Sequence, residues 1–173
     1  MIRVDVRART MRLGALTFPC VIGKGGALPA EDKREGDGAT PLGTWGLRGV
    51  LLRPDRVDAR LTPMLPWRWL RPDDGWSDDP ADPVYNRPVT LPHRFGHERL
   101  WREDQAYDVI VILAHNDAPP VPGRGSAIFF HQWVLDADGA PKATEGCVAV
   151  SPRAMRELLP LLRPGMAMEI VAA

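Results

Sequence analysis

Cysteine is scarce, with two residues in 173, too few for a disulfide framework or a four-thiolate zinc site. Neither sign of charge is in excess, because 22 Lys and Arg balance 22 Asp and Glu. The basic surplus that draws proteins to polyanions is missing, so nucleic acid is not an expected partner. No apolar run approaches the roughly eighteen residues of a membrane-spanning helix. The opening residues Met1–Cys20 alternate apolar and charged side chains and lack the apolar centre of a secretory signal. Long helices are disfavoured too, since 16 Gly and 18 Pro make up about a fifth of the chain. What remains, 45% hydrophobic and 25% charged, is a globular composition. The length predicts one domain spanning residues 1–173.

The apolar pattern is mostly that of strands. Ile2, Val4 and Val6 fall on one side of a half-buried strand, and Leu13–Ile22 reads as a second, ending at Gly23–Gly26. A turn-rich segment, Lys33–Gly43, leads into strand-like Thr44–Leu52. Residues 54–92 hold eight prolines and three tryptophans with no periodicity. A loop this long is functional or disordered, and its aromatics favour an ordered cover. Tyr107–Ala114 is the most apolar stretch, a strand buried on both faces. Ala127–Val134 alternates, with Ala127, Phe129, His131 and Trp133 on one side, and a turn follows at Asp136–Pro141. One helix is expected, with Ser151 as N-cap, Pro152 at the first helical position and an apolar face of Met155, Leu158, Leu159 and Leu162. Pro160 ends or kinks it, and Met166–Val171 supplies a closing strand. The expected fold class is therefore mainly β with one C-terminal helix.

Cysteine-based acyl transfer needs a thiol, an imidazole to carry a proton and donors for an oxyanion. Cys147 follows Gly146, whose freedom at positive φ lets backbone N–H groups turn toward a bound carbonyl. His131 lies sixteen residues earlier, so two adjacent strands joined across a hairpin-like turn bring the pair together. Cys20, in the apolar run Phe18–Ile22, reads as a small core residue.

The run Ser126–His131 followed by Thr144-Glu145-Gly146-Cys147-Val148 resembles the signature of the L,D-transpeptidase catalytic domain, the YkuD-like family. Glu35–Gly43 is similar to that family's early Thr-Pro-x-Gly element. The resemblance runs from about Cys20 to the C-terminus and implies a β-sandwich or barrel-like domain. The chain looks like a short, proline-rich proteobacterial branch of the family. Carried over by motif, the resemblance makes Cys147 the nucleophile and His131 the general base and later acid, with an oxyanion hole around Gly146. It implies muropeptide stem peptides as donor and acceptor, a diaminopimelate amine resolving the thioester, 3,3- or 1,3-type crosslinks, and no cofactor or metal. The sequence departs from the pattern at Glu145, where the family carries histidine, and at Ala149, where it often carries arginine.

Candidate substrate contacts are His115 and Asn116 at the end of the buried strand, Tyr85 in the proline-rich loop, Arg124 and Ser126 beside the His131 strand, and Glu145. Arg124 is a candidate to replace the missing arginine, and Glu145 to hold His131 or read an amine. His93 and His97 are expected to be solvated. Partial ionisation of Cys147 by His131 is expected to make it more reactive than Cys20. Competing readings are an L,D-carboxypeptidase, a zinc site of His115, Asp117, His131 and Cys147, and an inactive wall-binding module. A monomer is expected. The substrate implies the periplasm or cell wall, and the lack of a signal leaves the cytoplasm open.

Overall fold

The computed structural model describes residues 1–173. Strand β1 (Ile2–Asp5) pairs with β2 (Thr10–Leu13), which turns at Gly14 into β3 (Leu16–Val21). The single strand expected over Leu13–Ile22 is thus the second arm of a hairpin. Its turn falls at Gly14, whose φ of +58° suits glycine. After β4 (Ala27–Pro29) comes the long β5 (Thr40–Leu52), which contains the Thr-Pro-x-Gly segment.

The proline-rich stretch is ordered, as expected, but carries pairing that no periodicity announced. It contributes β6 (Trp67–Trp69) on β5 and then β7 (Asp74–Ser77), β8 (Pro88–Thr90) and β9 (His97–Arg99), which form a separate three-stranded sheet. Strands of three or four residues are too short to display a period of two. The chain continues through β10 (Val109–Leu113), β11 (Phe129–Gln132), β12 (Val148–Val150), the helix α1 (Pro152–Leu158) and β13 (Ala167–Val171).

The main sheet closes on itself in the order β5–β10–β11–β12–β3–β2–β1–β13–β5, with β4 and β6 attached to β5. Closure removes the free edges that would otherwise invite pairing with another chain. The mainly β architecture with one short helix agrees with the sequence pattern. Ser151 caps α1 by accepting the Ala154 N–H, and Met155, Leu158, Leu159 and Leu162 enter the barrel core as expected.

Alternation along the strands separates two apolar clusters. Val50, Leu52, Val109, Val111, Ile128, Phe130, Val148 and Val150 face the barrel interior. Their neighbours Leu51, Ile110, Ala127, Phe129 and Cys147 face outward and are covered by Leu70, Trp76, Leu100 and Tyr107 from the 67–107 segment. Side chains alternate faces along a strand, so the parity that buries Val148 inside sends Cys147 to the opposite face.

Candidate active site

The strands carrying His131 and Cys147 are adjacent, but they run parallel rather than as the two arms of a hairpin. Phe130 pairs with Val148 and His131 with Ala149. A short turn closes with Leu135 opposite Pro141, and the chain then crosses to Thr144, which bridges to Gly23 before β12 begins. Cys147 and His131 consequently share one face of the sheet. They are offset by two residues along the strand, about 6.6 Å, and one strand spacing, about 4.8 Å. Both line a cavity of about 460 Å³.

The backbone beneath Cys147 is held from both sides. Its carbonyl accepts hydrogen bonds from the Thr144 hydroxyl at 2.7 Å and the Thr40 hydroxyl at 3.4 Å. Thr40 in turn accepts the Gly23 N–H at 2.8 Å. Gly146 has φ +140°, and a Cβ there would lie 3.0 Å from the Ala39 carbonyl oxygen, so the Thr-Pro-x-Gly segment packs directly under the Gly-Cys turn. The Gly146 N–H donates to Thr144 Oγ1. The Cys147 N–H has no acceptor within the protein.

The thiol donates to the Ala127 carbonyl at 3.2 Å and accepts the Phe129 N–H at 3.3 Å. Burial, reinforced by the Glu98 carboxylate, pushes its pKa up to about 12. Burial likewise brings the His131 imidazole down to about 4. The expectation that His131 partly ionises Cys147 is therefore corrected. Desolvation favours the neutral form of both groups, and the resting pair is thiol and imidazole. Because Gln132 offers a carbonyl to Nδ1 at 2.7 Å, Nδ1 carries the proton and Nε2 keeps its lone pair. Tyr107 packs edge-on against the His131 ring at 5.1 Å and donates its hydroxyl to Glu98. The Arg102 guanidinium lies 5.2 Å from the Tyr107 ring centroid and pairs with Asp104.

Of the other residues singled out in the sequence, Ser126 and Glu145 line this cavity. Glu145 is exposed at its rim and paired with Lys24 at 2.8 Å, so it does not hold His131. Tyr85 is buried outside the lining, where it and Ser126 both hydrogen-bond Glu35, whose side chain does reach the cavity. His115 is buried behind the site, donating from Nε2 to the Arg124 carbonyl, with Nδ1 unpartnered. Asn116 knits its own loop through Val121 and Gly125. Arg124 turns away to the Glu31 carbonyl, so it does not stand in for the missing arginine. His93 is not simply solvated, being paired with Asp82 at 2.6 Å. No three His, Cys, Asp or Glu side chains gather closely enough to share a metal ion, so His115, Asp117, His131 and Cys147 do not form the ligand set of the zinc reading.

Glu98, Tyr107, Arg102, Asp78 and Lys142 also line the cavity, and sequence reasoning missed all five. Glu98 sits in a three-residue strand with no readable period. Tyr107 heads an apolar run that accounts for it as core.

Comparison with known proteins adds independent findings. A family model described as YkuD, L,D-transpeptidase catalytic domain, matches residues 1–170. No curated protein matches the sequence. Among solved structures, the chain is similar to Mycobacterium tuberculosis L,D-transpeptidase 1, with 15% identity and a TM-score of 0.40. The similarity covers 98% of this chain and 60% of that one.

Proposed function

The chain belongs to the L,D-transpeptidase catalytic domain family, and from that premise we propose that it is a cysteine-dependent peptidoglycan L,D-transpeptidase acting through an acyl-enzyme on Cys147. The observation that carries this reading is the shared face of β11 and β12, where the Cys147 thiol and an imidazole with a free Nε2 line one cavity.

In the proposed reaction the S–H turns from the Ala127 carbonyl toward His131, whose Nε2 takes the Sγ proton as the sulfur attacks a stem-peptide carbonyl. With both groups neutral at rest, the proton moves as the sulfur attacks, in general-base fashion, rather than from a preformed thiolate–imidazolium pair. The unpaired Cys147 N–H is the available oxyanion donor. Removing such a donor typically costs about 10²–10³-fold in rate. The departing amine takes the proton back from the imidazolium as the C–N bond breaks, leaving a thioester. The diaminopimelate amine of a second stem then attacks the thioester and gives up a proton to His131. The new amide forms and the thiol is restored.

One domain over 1–173 serves both half-reactions, and the crosslink is of 3,3- or 1,3-type. The test is incubation with purified muropeptides followed by mass spectrometry. Crosslinked dimers are expected, and Cys147→Ala abolishes them. Trimmed monomers alone would assign water as the acceptor and overturn the transpeptidase reading.

A further inference from the structure

The cavity is unevenly charged, and its acidic wall has no role in the chemistry above. Glu35, Asp78 and Glu98 line it, against Lys142 and an Arg102 already paired with Asp104. Glu145 at the rim is neutralised by Lys24. Glu35 is engaged by the hydroxyls of Tyr85 and Ser126. Glu98 stands apart from these. No salt bridge holds any of Glu35, Asp78 and Glu98; what distinguishes Glu98 is its hydrogen-bond partner, the hydroxyl of Tyr107, the ring that braces His131. Glu98 is therefore a positioned carboxyl group in the same cavity as the nucleophile, oriented by a residue in contact with the base.

We propose that Glu98 is a specificity-determining residue that receives the ammonium group of an amine-bearing stem peptide and holds it beside Cys147. The inference rests on the transpeptidase reading for the identity of the amine, and on the cavity alone for its preference for cations. Charge supports it further. Burial pushes the Glu98 carboxyl upward and Asp78 and Glu35 add to it, against the Tyr107 hydroxyl and the Arg102 guanidinium. A cation placed among these carboxylates relieves that repulsion. Glu145, the residue that sequence comparison offers for this task, is already occupied by Lys24.

The direct test uses thiol reagents of opposite charge and similar size, a trimethylammonium-ethyl and a sulfonatoethyl methanethiosulfonate. Modification at Cys147 is followed by peptide mass mapping. For the unmodified protein, the ratio of cationic to anionic rates, normalised to the urea-denatured chain, is expected to exceed about ten. Glu98→Gln should lower it about tenfold, while Glu98→Asp and Glu31→Gln, the latter outside the cavity, should leave it within twofold of the parent. The normalised ratio cancels changes in the thiol's intrinsic reactivity, and its value for the unmodified protein needs no variant to fold. A ratio at or below one, or a Glu98→Gln ratio equal to the parent's, would overturn the proposal.

With muropeptides, Glu98→Gln should shift product about tenfold from crosslinked dimer toward hydrolysed monomer. An unchanged partition would also overturn it. The reagent ratio requires no muropeptide, so a cation-preferring cavity without acyl transfer would refute the transpeptidase reading instead.

Discussion

His131 is nearly buried, and its environment disfavours the imidazolium that each proton transfer creates. Its pKa is brought down to about 4 from an ordinary 6.5. Between those values the unfolded chain binds a proton that the folded chain does not, so stability rises with pH across that window. The contribution is complete above about pH 6.5 and is lost as pH falls toward 4. Its size is on the order of 3 kcal/mol. His115, also depressed by burial, adds to the same slope. Urea denaturation at pH 7 and pH 4.5 should show a smaller pH-dependent loss for His131→Gln than for the parent. Equal losses would contradict the burial argument. The identities of Cys147 and His131 as a pair were legible from motif and spacing. Their protonation states were not, because burial is set by Tyr107 and the rest of the cover packed over Ala127 and Phe129, which the motif does not name.

Among the elements, the β5 strand does more than close the barrel. Thr40, at its start, is fully buried and links Gly23, the Cys147 carbonyl and, through Ala39, the Gly146 turn. Thr40→Val retains the shape but leaves the Gly23 N–H without an acceptor, at a cost of about 1–3 kcal/mol. The loss should appear as a lower denaturation midpoint together with slower acylation of Cys147, and Thr40→Ser should recover both. A Thr40→Val protein of parental stability would show that the link is not structural. The apolar run Tyr107–Ala114, the alternation in Ala127–Val134 and the Ser151 cap were readable because each rule is local. The β2–β3 hairpin was hidden because Leu13, Gly14, Ala15 and Leu16 read as one apolar run. The parallel pairing of β11 and β12 is a tertiary outcome, fixed by Thr144 crossing to Gly23, and no window of sequence around His131 contains it.

Across the whole molecule, the barrel and the three-stranded sheet meet over the site, and Asn86 is the principal bolt between them. Its amide accepts from Trp76 Nε1 and the Ala127 N–H, and donates to the carbonyls of His115 and Asn116. Asn86 has φ +54°, a conformation asparagine tolerates better than most residues. Asn86→Ala leaves several buried groups unpaired and should cost about 3 kcal/mol. Hydrogen exchange should then rise in residues 74–99 while amides of β1 and β13 keep their protection. Uniform loss of protection would show that barrel and cover unfold as one unit. That the proline-rich stretch is an ordered cover followed from its aromatics. How it attaches did not, since Asn86 pairs with partners 10 to 41 positions away.

A stem peptide carried covalently on one particular sulfur is read directly by intact-protein mass spectrometry during turnover with a tetrapeptide muropeptide. We predict an added mass equal to the acyl portion of the donor, mapped to Cys147, absent in Cys147→Ala and retained in Cys20→Ala. Transpeptidation without any protein adduct, or an adduct that survives in Cys147→Ala, would contradict it.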